Sequence, residues 1–89
     1  MIEHTVADSI KKIVKGFTLK ATLENVCPGI FEDVCKTNNW KFELDNDYNG
    51  WEVDWWGDII TDSGTVHIYG CMYYGTAILT LKENGKYLR

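Results

Sequence analysis

Apolar residues recur at helical spacing in the first part of the chain and at every second position in much of the rest. The first helical stripe has five apolar members, Val6, Ile10, Ile13, Val14 and Phe17. Thr5 and Asp8 stand at its start with the spacing of a capping box, and Gly16 supplies a stop signal. The pattern therefore predicts a first helix that begins near Thr5 and ends near Gly16.

A second helical stripe follows after a short interval. Its apolar members are Leu19, Leu23, Val26, Cys27, Ile30, Phe31, Val34 and Cys35. Pro28 is tolerated if Asn25 caps this helix, because the first turn contains backbone N–H groups that lack partners in any case. We predict a helix over residues 26–38. Residues 17–24 also alternate as a strand does, so either an extra helical turn or a short strand fits them.

From Trp40 onward the apolar period is two, which indicates strands. The predicted strands cover residues 40–45, 51–56, 65–71 and 76–82. Residues 46–50, residues 62–64 and Gly75 have the composition of turns. Asn84 and Gly85 predict a hairpin that returns the chain end to the last strand. Gly70, inside a strand, predicts a bulge or a close approach of another group.

These elements predict an α+β fold. Two N-terminal helices would pack on one face of a four- to five-stranded antiparallel β-meander, and residues 1–89 would form a single compact domain. The chain is 45% hydrophobic and has no apolar run near the roughly 20 residues that cross a membrane. Cys27, Cys35 and Cys71 are odd in number and lack C-x-x-C spacing, which favours buried thiols and a cytoplasmic protein.

Charge is distributed unevenly along the chain. Residues 42–81 contain seven carboxylates and no Lys or Arg, while both flanking segments are slightly basic. Strand alternation turns one set inward, Phe42, Leu44, Trp51, Val53 and Trp55, and leaves two rows of carboxylates outside. The predicted partner-binding residues are Glu43, Asp45, Asp47, Tyr48, Glu52, Asp54, Trp56 and Asp58.

Carboxylates arranged in rows repel one another, and cross-strand pairs are worth roughly 0.2–1 kcal/mol each. A solvated face that blocks edge pairing is one explanation of this cost. Binding is the other, because exposed Trp and Tyr serve as anchors and carboxylates steer a basic partner. The acidic charge argues against binding nucleic acid directly. An exposed edge strand would also allow two copies of the chain to pair.

In general type, a small acidic chain rich in Trp, Tyr and Asn resembles phage-encoded inhibitors of bacterial nucleases, such as anti-restriction and anti-CRISPR proteins. The resemblance is one of composition and includes no residue motif. It implies a non-enzymatic protein, without cofactor or metal, that acts in the host cytoplasm. Its acidic, aromatic hairpin face would block a basic, nucleic-acid-binding surface of a host nuclease or CRISPR effector.

Two other binding functions remain open. Residues 45–50 match the D-x-D-x-N-G opening of an EF-hand-type calcium loop, but Glu52 and Trp56 occupy its eighth and twelfth positions, where an apolar residue and a bidentate Glu are expected. Carbohydrate binding is the second alternative, because aromatic side chains could stack on a sugar. The candidates are Trp56, Tyr69, Tyr73 and Tyr74.

The sequence gives little support for catalysis. Glu52 and Asp54 have a spacing loosely compatible with a glycosidase pair, but an exposed strand supplies no pocket to raise one pKa. His67 and Cys71 would be about 13 Å apart on one strand, too far for a nucleophile and its base. His4 has no neighbour in sequence that would complete a zinc site. We therefore predict that the protein is not an enzyme.

Overall fold

The computed structural model describes residues 2–44, 54–83 and 86–87. In these residues the chain forms two helices and six strands. The helices are α1 (Ile2–Val14) and α2 (Pro28–Asn38). The strands are β1 (Lys20–Glu24), β2 (Lys41–Leu44), β3 (Asp54–Thr61), β4 (Gly64–Cys71), β5 (Thr76–Glu83) and β6 (Lys86–Tyr87). The predicted α+β class is confirmed.

Every strand pairing in the sheet is antiparallel. The order is β1-β5-β4-β3-β2, and β6 pairs with β5 beyond the end of β1. Strands β2 to β5 are therefore a meander, as the spacing of turn residues predicts. β1 lies outside the meander, because it precedes α2 in sequence and pairs with the last long strand. Residues 17–24 thus include a strand and not an extra turn of α2.

α1 begins at Ile2, three residues before the predicted start. The reason is that Ile2 is half-buried and extends the apolar stripe by one more turn. The predicted stop at Gly16 is confirmed: Gly16 has φ 84°, and the N–H groups of Gly16 and Phe17 donate to the carbonyls of Ile13 and Lys12. Phe17 follows this reversal and is 77% exposed, so its predicted place on the buried stripe is wrong.

α2 begins two residues later than predicted. Cys27, not Asn25, is its N-cap residue, and Pro28 occupies the first turn. Asn25 instead has φ 60° and separates β1 from the helix, while the next amide, that of Val26, donates to the carbonyl of Gly75. The helix ends as predicted, at Asn38, because Asn39 takes the left-handed conformation.

The structure moves the second predicted strand along the chain. Described residues 54–61 form β3, so the strand extends beyond the predicted residues 51–56 and includes Gly57 and Asp58. Gly57 is compatible with this strand for a steric reason, since a Cβ there would lie 2.9 Å from a ring carbon of Phe42. Glycine allows the Phe42 ring to lie against the strand. The inward predictions for Phe42, Leu44 and Trp55 are confirmed, whereas Trp51 and Val53 lie outside the described residues.

One apolar core joins helix and strand residues. Its fully buried members are Val6, Ile10, Ile13, Phe31, Trp55, Ile59, Val66, Ile68 and Leu79. Trp55 contacts Phe31 edge to face, with the ring centroids 5.6 Å apart. α1 contacts β1, β4 and β5, and α2 contacts α1 and β2. The sheet face that carries these buried residues is the inner face, and the alternate residues point to the outer face.

Candidate functional site

The outer face of the sheet is ordered by its register into four rows of side chains. Row one contains Lys41, Ile60, Thr65 and Lys82, and row two contains Glu43, Asp58, His67, Thr80 and Lys20. Row three contains Trp56, Tyr69, Ile78 and Thr22, and row four contains Asp54, Cys71, Thr76 and Glu24. All the lysines of the face belong to the first two rows. Rows three and four contain two carboxylates and no cation.

Rows one and two neutralise much of their own charge. Asp58 is only 24% exposed, and its two carboxylate oxygens lie 2.9 Å from Nδ1 of His67 and 3.1 Å from Nζ of Lys82. Glu43 lies 3.1 Å from Nζ of Lys41 on the same strand. Two of the predicted partner-binding carboxylates thus have cationic neighbours within the chain. The pairing of Asp58 joins three strands of the sheet.

Rows three and four present aromatic surface instead. Trp56 and Tyr69 are directly opposite on β3 and β4, their ring centroids are 5.5 Å apart, and each is 38% exposed. The phenol of Tyr69 is hydrogen-bonded to the carboxylate of Asp54, and this bond raises the pKa of Tyr69. Tyr69 therefore packs against its cross-strand neighbour Trp56. Both residues remain more than one-third exposed and so available to a partner.

Further aromatic surface lies at the same end of the sheet. Tyr73 and Tyr74 are in the β4–β5 connection, are 75% and 73% exposed, and contact each other edge to face. We call the exposed surface of Asp54, Trp56, Tyr69, Tyr73 and Tyr74 the aromatic end. It includes four of the six large apolar or aromatic side chains that are exposed among the described residues. Exposed aromatic residues concentrated in this way mark interaction sites more often than scattered ones do.

A shallow depression of about 250 Å³ lies between the two halves of the outer face. Its lining residues are Glu43, Leu44, Trp56, Gly57, Asp58 and His67. A second depression of about 250 Å³ separates α1 from α2 and is lined by residues that include His4, Lys11 and Asp33. The first depression contacts the aromatic end through Trp56, so a ligand bound there would also touch the exposed indole.

Four of the eight predicted partner-binding residues are on the outer face: Glu43, Asp54, Trp56 and Asp58. The other four, Asp45, Asp47, Tyr48 and Glu52, lie outside the described residues, as does the predicted calcium loop at residues 45–50. Sequence reasoning missed the contribution of Lys82, which is 24 positions from Asp58 and reaches it only through the register of three strands. It also missed the hydrogen bond between Tyr69 and Asp54.

The described residues give no metal or membrane signal. They contain no group of three or more His, Cys, Asp or Glu side chains that could hold a metal ion. Over the same residues, neither helix combines the length and the hydropathy that a membrane span requires. His67 is bonded to Asp58 and belongs to a different row from Cys71. The described geometry of His67 therefore joins it to β3 through Asp58.

Comparison with known protein families, curated proteins and solved structures gives no match. The geometry and charge of the outer face are therefore the features that point to a function.

Proposed function

We propose that this is a non-enzymatic binding protein whose aromatic end binds a basic surface of another protein. The observation that carries the proposal is the division of the outer face. Its lysines lie in rows one and two, where Lys41 pairs with Glu43 and Lys82 with Asp58. The exposed Trp56 and Tyr69 lie in row three, beside row four, and the only charged residues of these two rows are carboxylates. A partner that meets the aromatic end encounters stacking surface and negative charge together.

The chain segment next to this end adds to the negative charge. Residues 45–53 connect Leu44 to Asp54, and both of these residues lie at the aromatic end of the sheet. The segment contains Asp45, Asp47 and Glu52 and has no Lys or Arg. Under this proposal the three carboxylates of the segment add to the negative field that a basic partner encounters. Such a field accelerates association with a cationic surface and makes it sensitive to ionic strength.

The aromatic residues favour binding over simple solubility. A face selected only for solubility needs charge, and exposed Trp and Tyr add no benefit there. In interfaces these residues are the usual anchors, because each buries a large area at a small cost in conformational entropy. Trp56 and Tyr69 are held by their mutual contact, so little of their conformational freedom remains to be lost on binding.

We further propose that the basic surface is the nucleic-acid groove of a host nuclease or CRISPR effector, and that the protein is a phage-type inhibitor acting in the cytoplasm. A groove that binds phosphates presents Lys and Arg in rows, which carboxylates on neighbouring strands could match. Occupying that groove would block the polymer by competition. The proposed inhibitor therefore needs no catalytic group of its own.

The test is affinity capture from bacterial lysate, followed by mass spectrometry. Charge reversal at Glu52 and Asp54, or Trp56→Ala, should abolish the capture of a specific partner. Phe17→Ala and Glu32→Lys are matched controls, since both alter exposed residues away from the aromatic end and should leave capture unchanged. Heparin or duplex DNA should release the partner if its phosphate-binding groove is the site. Capture that survives the double charge reversal would refute the proposal.

Carbohydrate binding is the second candidate, favoured by the depression beside Trp56. An indole wall next to the polar groups of Glu43, Asp58 and His67 could hold a sugar ring by stacking and hydrogen bonding. A glycan array should then identify glycans that bind the wild type but neither Trp56→Ala nor Asp58→Asn. If the ligand is instead a basic protein, Trp56→Ala should lose binding, binding should depend strongly on ionic strength, and no glycan should bind.

A further inference from the structure

The backbone of β1 has a side that faces away from the sheet. The amide of Leu81 donates to the carbonyl of Leu19 at 3.4 Å, so Leu19 directs its backbone carbonyl toward β5. Residues that direct their backbone groups toward the partner strand alternate along antiparallel strands. Ala21 and Leu23 therefore direct their backbone groups toward β5, and the alternate residues of β1 direct theirs outward. No described strand pairs with that outer edge of β1.

The outward-directed residues of β1 are Lys20, Thr22 and Glu24. All three have exposed side chains on the outer face of the sheet. The carbonyl of Lys20 accepts a hydrogen bond from the hydroxyl of Thr18 at 3.1 Å, which agrees with its pointing away from β5. This carbonyl retains a second lone pair for another donor. The edge thus presents three N–H donors and three carbonyl acceptors at alternate positions.

This edge is complementary to itself. If a second strand β1 lies antiparallel with Thr22 opposite Thr22, Lys20 of each copy is directly opposite Glu24 of the other. In the same register every outward-directed backbone group meets an outward-directed group. Opposite charges and Thr–Thr pairs at directly opposed positions both stabilise antiparallel sheets. The positions of the outward-directed backbone groups and the charges of the side chains therefore each favour the same register.

We propose that two copies of this chain pair through β1 in this register and form a continuous antiparallel sheet. A two-fold axis at Thr22 generates an isologous contact of the kind that closes on a dimer. Row three then runs without interruption through both copies, with Ile78, Tyr69 and Trp56 on each side of the Thr22 pair. The dimer presents both aromatic ends on one surface.

The edge of β2 is the competing location for such a contact. It is one residue shorter, and its Lys41 and Glu43 already form an ion pair within one copy. Lys20 and Glu24 have no described ion pair that a second copy would disrupt. Leu19, which directly precedes β1, is 43% exposed, which leaves apolar surface beside this edge for a second copy to cover. The described geometry favours β1.

Sedimentation velocity of the purified full chain tests the proposal without any other partner. Pairing of two five-residue strands belongs to the small class of interfaces, so the dimer should assemble over a range of roughly 10 µM to 1 mM. Lys20→Glu or Glu24→Lys should each weaken self-association by about tenfold or more, because each places two like-charge pairs in the dimer. The double variant Lys20→Glu/Glu24→Lys should restore it.

A mixture provides the sharpest result. When the single variants Lys20→Glu and Glu24→Lys are mixed, they should form a heterodimer, since every opposed pair is then of opposite charge. Thr22→Pro should abolish pairing and leave the fold intact, because the lost N–H points away from β5. Lys41→Glu is the matched control on the β2 edge and should leave self-association unchanged.

The proposal is overturned if the wild type stays monomeric throughout this range. It is also overturned if the restoring double variant remains monomeric, or if Lys41→Glu is the variant that disrupts the dimer. A circular-dichroism melting curve for each variant shows that the fold is retained. None of these results depends on the proposed function, since no partner protein is present and Trp56 is unchanged.

Discussion

Among the glycines of the described residues, Gly70 leaves the least room for an added Cβ, so its replacement by alanine gives a sharp stability prediction. A Cβ at this position would lie closer than 3.0 Å to three atoms of the Trp55 indole, a separation that real Cβ contacts do not reach. Trp55 is fully buried and packed against Phe31. The ring therefore cannot move away without displacing other core residues.

The expected cost follows from this overlap. Adding one methyl group to a packed core typically costs about 1–3 kcal/mol. Here the overlap involves three atoms of a fully buried ring, so we expect about 3 kcal/mol or more of lost unfolding free energy. A domain of this size has about 5–13 kcal/mol in total. A loss of 3 kcal/mol corresponds to a decrease in Tm of about 12–24 °C.

Urea denaturation measures this difference, and the chain offers a matched control. A Cβ at Gly29 has only the sulfur of Cys27 nearby, at 3.9 Å. Gly29 lies in α2, where alanine is favoured over glycine by about 0.5–1 kcal/mol, so Gly29→Ala should be neutral or stabilising. If Gly70→Ala and Gly29→Ala have the same denaturation midpoint, the placement of the Trp55 ring over β4 is wrong.

Three further predictions concern polar groups and thiols. Asp58→Asn should lower the unfolding free energy by about 1–2 kcal/mol in chemical denaturation, because it removes a part-buried charged acceptor. A thiol reagent near neutral pH should modify exposed Cys27 and not Cys35, since burial raises the pKa of the Cys35 thiol to about 11. Asp54→Asn should lower the pKa of Tyr69 in a spectrophotometric titration, because it replaces the carboxylate that favours the protonated phenol.

Each of these has its own control. Asp8→Asn alters an exposed i,i+4 ion pair with Lys12 and should cost no more than about 0.5 kcal/mol. A similar cost for Asp58→Asn would show that its pairing adds no stability. For Tyr69 the native pKa is above the usual value of 10.0, so this contribution to stability is fully present below pH 10 and is lost as the pH rises through the raised pKa. Tyr69→Phe should abolish this pH-dependent contribution to stability.

Local features of the sequence predicted much of the fold. The end of α1 was predictable because Gly16 adopts a left-handed conformation that few other residues tolerate. The inward side of β3 was predictable at Trp55 because strand alternation is strict. The pairing of β1 with β5 was not predictable, since residues 20–24 meet residues 76–80 far along the chain and no local signal specifies this contact.

The candidate site was less predictable than the fold. The sequence indicated an acidic face, and alternation placed Asp54 and Trp56 on it, while Asp58 lay beyond the predicted strand. It could not show that Asp58 is paired with His67 and Lys82, because that contact depends on the register of β3, β4 and β5. The absence of Lys and Arg from residues 42–81 therefore exaggerates the negative charge of the folded face. The register confines the excess of carboxylates to rows three and four.

Calorimetric titration of the captured partner tests most directly whether the aromatic end binds a basic partner. We expect Trp56→Ala to weaken binding by at least tenfold, equivalent to about 1.4 kcal/mol, and Phe17→Ala to leave it unchanged. Affinity for the wild type should also decrease as ionic strength rises. Equal affinities for the two variants, or binding that is insensitive to salt, would contradict the account.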